Sequence, residues 1–255
     1  MKKAKKWVCL ILTLLIMLGM PTVAFAGGRI TPQYASGGAT GTHQWLTGQA
    51  ISILMADNSV VANLLTLEYR SLLLTNSDWP DTYENDGGLY TSHFYNPYTG
   101  KTFLGSTTAL TRFTTHANNA KKYYAKNKKQ SMTELGRALH YLEDINEPHH
   151  AALLIAGLSS HTQYEDWIDD HEYLYEFNAT PRYKTLITID AKRSYATFCT
   201  ELFRQAAINA YANKNYANTY NEADWITSAT NTLPFAQEII AVFLFNFYYS
   251  VGAVK

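Results

Sequence analysis

Cysteine is almost missing from this chain. Its 255 residues hold two, Cys9 and Cys199. Cys9 falls in a leader-like segment, which leaves Cys199 alone and excludes an intrachain disulfide. Thiolate metal sites are excluded with it. An excess of positive charge is missing too, with 21 basic against 21 acidic residues. Loss of the leader removes four of the 21 basic residues, leaving 17 against 21 acidic, a net of −4. Such a balance carries no electrostatic footprint for a polyanion, so no nucleic-acid partner is expected. Long apolar runs are scarce. Val8 to Met20 is too short to span a bilayer, and Ile239 to Val251 is short and interrupted by Asn246 and Ser250. The latter is expected to be a buried C-terminal helix. No internal repeat, linker or low-complexity tract divides the chain, so one domain with a substantial core is expected, by default as a monomer.

The first residues carry a secretory pattern. Lys2, Lys3, Lys5 and Lys6 precede the apolar stretch, and Ala24-Phe25-Ala26 is a small-x-small cleavage site. Residues 1–26 therefore read as a signal peptide and 27–255 as a secreted, extracellular domain beginning at Gly27. An exported chain without a disulfide needs another staple, and bound metal is one.

Hydrophobic spacing predicts an all-α domain with long functional loops. Gly27 to Gly41 reads as an irregular arm. Trp45, Leu46, Ile51, Ile53 and Leu54 mark one buried helical face, and Val60 to Leu73 a second. Asn76 to Gly105 is rich in Asp, Asn, Gly, Pro, Thr and Tyr and predicts a long loop. Leu110 to Asn127 reads as helix. Ser131-Met132-Thr133-Glu134 is a capping box that predicts the start of the next helix, ending near Pro148. Further helices are expected over His161 to Phe177, over Ser194 to Asn213, and from Pro234 onward. Leu186 to Ile189 is a possible short strand.

Against this background stands a rich set of nitrogen and oxygen donors: His43, Asp81, His93, His140, Asp144, His150, His161 and Glu165. Donors of this kind suit zinc held for catalysis. His140 and Asp144 lie four apart on an expected helix, and so do His161 and Glu165, so each pair leaves one helix face. A single such pair is ordinarily a surface hydrogen bond. Two pairs bracketing Pro148-His149-His150 point instead to metal pinched between helices. The loop from Asp81 to His93 adds two donors among Trp79, Tyr83, Tyr90, Phe94 and Tyr95, an aromatic setting that suits the wall of an apolar cleft.

The motifs THQWLTGQA, PDTYEN, SHFYNPYTGKTF, LHYLEDINEPHHA and HTQYE occur in that order. Together they resemble the bacterial zinc-dependent phospholipase C family, the group of the Bacillus phosphatidylcholine-cleaving enzyme and the catalytic domain of clostridial alpha-toxin. The resemblance implies a single catalytic helical domain, phospholipase C/P1 nuclease-like, with three zinc ions in a cleft. It implies that Asp81, His93 and His140 hold one zinc, with Asp144 bridging to a second. It gives the second zinc His43 and the amino group and carbonyl of Gly27, and the third His150, His161 and Glu165. It favours Asp81 over Asp78 and His150 over His149. Three departures stand out: no Trp precedes His43 in the mature chain, Glu143 replaces a residue that is often small, and Leu153 replaces one that is often Asn.

The same resemblance implies hydrolysis of a phospholipid at a membrane surface, giving diacylglycerol and a phosphorylated headgroup. Asp81 would be catalytic as proton acceptor as well as ligand, and Tyr83, Tyr90 and Phe94 would line the substrate region. Two other functions are kept open: an S1/P1-like single-strand nuclease or 3′-nucleotidase on the same metal scheme, and a non-catalytic, metal-stabilised membrane-binding protein. The chain stops soon after the helical stretch, so no appended β-sandwich is expected. His116 and His171 read as surface or capping residues, His149 as solvent-facing, and Cys199 as a small buried hydrophobe. Lys121, Lys122, Lys126, Lys128 and Lys129 read as a solvated helix end, with anionic lipid as the lesser alternative.

Overall fold

The computed structural model describes residues 41–177 and 193–255, and every regular element among them is helical. The expected arm, the cleavage site, Gly27 and the possible strand at Leu186 to Ile189 lie outside the described residues. The helices are α1 (Thr42–Asp57), α2 (Ser59–Leu64), α3 (Leu67–Tyr83), α4 (Ala109–Tyr124), α5 (Lys128–Asp144), α6 (Pro148–Ala152), α7 (His161–His171), α8 (Tyr195–Ala217) and α9 (Glu222–Ser250). Single 3-10 turns occupy Thr91–His93 and Glu172–Leu174.

Local chemistry starts most of these helices. Side chains of Asn58, Thr66, Thr108, Asn127, Ser194 and Asn221 each accept a hydrogen bond from a first-turn amide. The single apolar stretch expected over Val60 to Leu73 is broken at Thr66, which caps α3. α5 packs along α3 and α4, α9 lies against α8 and α1, and α6 rests on α8. Ile239 through Tyr248 are buried without a break, so α9 is the central helix of the core. No helix among the described residues is long and apolar enough to cross a membrane.

Other element boundaries also differ from the sequence reading, and the helix expected over His161 to Phe177 ends at His171. Asn76 to Tyr83 is the last part of α3, not loop, and Pro80 sits inside it. Asn76 Nδ2 and Ser77 Oγ bond back to the carbonyls of Leu72 and Leu74, so residues that ordinarily favour turns here support the helix. The capping box does not cap. α5 opens at Lys128 behind Asn127, Ser131 Oγ donates to Ala120 O on α4, and Glu134 is drawn to His116 and Asn119. Tertiary partners claim both side chains. Pro234 likewise lies within α9 rather than at its start. Burial of Ala229 and Leu233 before it and Ala236 after it offsets the lost backbone bond.

One close approach positions the functional helices. A Cβ on Gly136 would stand 2.7 Å from Asn76 Cβ and 2.8 Å from Leu73 O. Only glycine lets α5 lie this close to α3, and this contact brings Ser77 and Asp81 to the face that carries His140 and Asp144.

Candidate metal centre

The expected donors arrive from several elements: His43 on α1, Asp81 on the last turn of α3, His93 on its 3-10 turn, His140 and Asp144 on α5, His150 on α6, and His161 and Glu165 on α7. All are buried, none more than 7 % exposed. They form two groups. In the first, Asp144 Oδ2 lies 2.9 Å from His93 Nδ1 and 3.2 Å from His140 Nε2. Asp81 Oδ1 lies 3.4 Å from His140 Nε2 and 3.6 Å from His93 Nδ1. His43 Nε2 lies 3.7 Å from both Asp81 Oδ2 and Asp144 Oδ1. In the second, Glu165 Oε1 lies 2.9 Å from His161 Nε2 and 3.3 Å from His150 Nε2. His150 Nδ1 is 3.8 Å from Asp144 Oδ1, which links the groups.

The hydrogen bonds fix which ring nitrogens are available. His140 Nδ1 is 2.7 Å from Ser77 O, His150 Nδ1 is 3.0 Å from His93 O, and His93 Nε2 is 3.3 Å from Glu84 O. A carbonyl can only accept, so each of these nitrogens donates, and in the neutral ring the other nitrogen carries a lone pair. Those lone pairs point at one another and at carboxylate oxygens. His140 Nε2 and His93 Nδ1 are 3.0 Å apart, and His150 Nε2 has no hydrogen-bond partner. Acceptors converging on acceptors in a buried space call for a cation, and backbone carbonyls on the far nitrogens are the usual means of orienting metal-bound imidazoles. The donors present therefore fit zinc.

Electrostatics agree. Burial alone would push the His140 imidazole down, but Asp144 and Asp81 raise it to about 10. Burial likewise opposes His150, yet Asp144 and Glu165 hold it at about 10. Asp144 is driven well below the carboxylate range by His140, His150 and His93, against burial. His43 goes the other way: burial, with His140 beside it, drives it well down, leaving a neutral ring.

The roles of four residues escaped the sequence reading. Glu143 is fully buried, with Oε2 3.0 Å from His43 Nδ1 and Oε1 accepting from Thr47 Oγ1 at 2.5 Å. It follows His140 by three on α5, a spacing that could have flagged it. Glu147 is buried with His150, His161 and Glu165, with donor atoms all within 4.8 Å of one another. His149 is not solvent-facing but fully buried, between Glu147 Oε1 at 2.6 Å and Ser160 Oγ at 3.3 Å. His116 is buried too, between Glu134 and Glu84, and Glu84 also accepts from Tyr141 Oη at 2.6 Å. Asp78 is outside both groups, His171 bonds back to Trp167 O, and Cys199 is buried with its thiol pushed up to about 12 by burial. The five lysines are exposed, and Lys129 pairs with Glu68.

The expected cleft wall is partly in contact with the donors. Phe94 stacks on His150, with centroids 4.5 Å apart and planes within 2°, and Tyr90 meets His93 edge-on. Tyr90 takes a left-handed conformation, φ 53°, as the loop turns toward His93. Tyr83 is 67 % exposed and stacks on Trp79. Leu89, Tyr90, Phe94, Phe103, Ile155, Ala156 and His161 enclose an apolar cavity of about 90 Å³. Leu153 ends α6 at φ 59°, a conformation that Asn tolerates better than Leu.

Comparison with known proteins accords with this geometry. Residues 42–226 match the family described as zinc dependent phospholipase C. The phospholipase C of Paraclostridium bifermentans is 27 % identical over 99 % of this chain and 67 % of its own length. A Bacillus cereus phospholipase C is 32 % identical over 50 % of this chain and 49 % of its own. The solved alpha toxin of Clostridium absonum superposes with a TM-score of 0.75 at 23 % identity, covering 85 % of this chain and 66 % of the toxin, a likeness of fold. The chain thus spans about two-thirds or less of the length of these relatives. The chain belongs to the zinc-dependent phospholipase C family.

Proposed function

We propose that this chain is a secreted phosphodiesterase that cleaves phospholipids on the glycerol side of phosphorus, releasing diacylglycerol and a phosphorylated headgroup. One observation carries the reading: buried imidazole lone pairs and carboxylates from α1, α3, α5, α6 and α7 converge where only cations would satisfy them. Three zinc ions would be held, one by Asp81, His93, His140 and Asp144, one by His43 with Asp144, and one by His150, His161 and Glu165. Bound zinc supplies charge neutralisation for the phosphate and a water of lowered pKa. Asp81, at the end of α3 and 7 % exposed, is the residue we assign to accept a proton during hydrolysis. Ser77, His93 and Glu84 hold the imidazoles of His140, His150 and His93 through their carbonyls, so the site is preorganised.

The apolar cavity beside His161 supports a lipid substrate, since its walls offer packing for acyl or glycerol carbons next to the metal centre. Leu89, on its rim, and Leu104 and Leu158 nearby in sequence to its walls are about half exposed or more, which suits a membrane-facing entrance. The lysine-led apolar start of the chain supports export.

The test pairs a phosphatidylcholine emulsion with single-stranded DNA, using protein stripped of metal and then restored with zinc. Zinc-dependent release of phosphocholine with intact DNA is expected. Cleavage of DNA alone would assign the nuclease reading, and binding of zinc without either activity the structural one.

A further inference from the structure

We propose that Glu147 is a fourth protein ligand at the His150, His161 and Glu165 site, so that the metal there is held by two imidazoles and two carboxylates. This inference rests on the metal-centre reading above. Glu147 is fully buried, and its Oε2 lies 3.9 Å from His161 Nε2. Its donor atom and those of His150, His161 and Glu165 all lie within 4.8 Å of one another. Two imidazole nitrogens and two carboxylate oxygens make up the four donors of a tetrahedral zinc site.

The carboxylate is aimed rather than merely nearby. Glu147 Oε2 accepts from the amide of His150 at 2.8 Å, capping α6, which leaves that oxygen a further lone pair. Glu147 Oε1 lies 2.6 Å from His149 Nδ1. At the far end of that ring, Nε2 lies 3.3 Å from Ser160 Oγ, whose own hydrogen goes to Ala217 O at 2.9 Å. Ser160 must therefore accept from His149, which fixes the ring from behind. The same ring stacks on His161, with centroids 4.9 Å apart and planes within 3°. A helix cap alone needs neither a buried charged group nor a histidine bracing it, since an uncharged Asn, Thr or Ser does that work at six other helices of this protein. The independent sign of a ligand is His150 Nε2, buried and without a hydrogen-bond partner, facing Glu165 Oε1 at 3.3 Å while its Nδ1 donates to His93 O.

The experiment is a crystal structure of the zinc-loaded protein with anomalous data at the zinc edge, beside chelator competition on the wild type and on Glu147→Gln. Glutamine keeps the cap and the bond to His149 but removes the anionic donor. A zinc peak about 2.0–2.2 Å from Glu147 Oε2 is expected. Glu147→Gln should release one zinc to the chelator about 10–100-fold more readily, with the remaining zinc unchanged. A zinc held by His150, His161, Glu165 and a water, with Glu147→Gln unchanged in affinity, would overturn the fourth ligand and leave the family site standing. Zinc-loaded crystals with no anomalous peak among these residues would overturn both.

Discussion

Nε2 of His140 and Nδ1 of His93 face each other across 3.0 Å, each with its other nitrogen committed to a backbone carbonyl. Asp144 Oδ2 sits 3.2 Å from the first and 2.9 Å from the second. Removing that carboxylate leaves the lone pairs with less than they need to hold a cation. Asp144→Ala should therefore lose zinc, activity and stability together. A ligand present at 100 times its Kd stabilises by about 2.7 kcal/mol, so a fall in thermal midpoint of several degrees is expected beside the loss of turnover. Elemental analysis, calorimetry and a phosphocholine-release assay report the three. A folded, zinc-replete and fully active variant would remove the basis for the site.

Metal uptake should displace protons, and the direction is set by the raised imidazoles. Asp144 with Asp81 raises His140, and Asp144 with Glu165 raises His150, to about 10 against an ordinary value of 6.5 and against burial. In the metal-free protein their contribution to stability is full below 6.5 and is lost as pH rises through about 10. Zinc binding near neutral pH must expel the proton each holds. Apparent zinc affinity should then rise with pH across this window. Titration calorimetry in buffers of differing ionisation enthalpy measures the release, and uptake with no proton release would show that these imidazoles are already neutral in the metal-free protein.

Glu143 braces the ring of His43 through Nδ1 while Thr47 fixes its other oxygen. Carboxylate partners of metal-bound imidazoles contribute about 10–100-fold to metal affinity. Glu143→Ala should weaken the zinc held by His43 by about that factor, and Glu143→Gln, which keeps an oxygen acceptor, should recover part of it. Chelator competition distinguishes this from a purely structural role, in which Gln would restore folding but both variants would bind zinc as the wild type does.

Much of this centre is legible in the sequence because helical spacing carries it. His140 with Asp144 and His161 with Glu165 share faces whatever the surrounding fold. Asp81 is legible as a donor but not as helical, because Asn76, Ser77 and Pro80 are turn-formers unless their side chains find carbonyls inside the helix. Glu134 and Ser131 mislead for the opposite reason: a local capping pattern is overridden by partners on α4. His149 and Glu147 are hidden by adjacency. They flank Pro148 in a helix of one turn, where spacing does not tell which side chains turn inward.

Glycine spacing bears on the same geometry. A methyl at Gly136 would meet Leu73 O at 2.8 Å and Asn76 Cβ at 2.7 Å, both in the helix that ends in Asp81. Overpacking of this kind costs about 1–3 kcal/mol, and relief by separation of α3 from α5 would pull Asp81 from His140. Gly136→Ala should lower both stability and zinc affinity. Gly48→Ala is the control, since its nearest neighbour would be Leu74 Cδ2 at 3.9 Å. It should gain up to about 1 kcal/mol from helix propensity. Equal, harmless outcomes for the two variants would show that α3 and α5 have room to spare.

Glu172 gives a pH dependence of its own. It is 6 % exposed, and burial, with the charge of Asp169 added, raises its carboxyl to about 8 from an ordinary 4.5 in spite of a hydrogen bond to Thr42. The folded state therefore holds this proton more tightly than the unfolded chain. Its contribution is fully present below 4.5 and is lost as pH rises through about 8. Glu172→Gln carries a fixed neutral group in the same place and escapes that loss. In zinc-saturated protein, the gap in thermal midpoint between variant and wild type should widen in favour of the variant from about pH 5 to about pH 9. Each 1 kcal/mol moves the midpoint by about 2–4 °C in a chain of this size, so a scanning calorimeter resolves it. Parallel midpoints across that range would mean that Glu172 ionises freely where it stands.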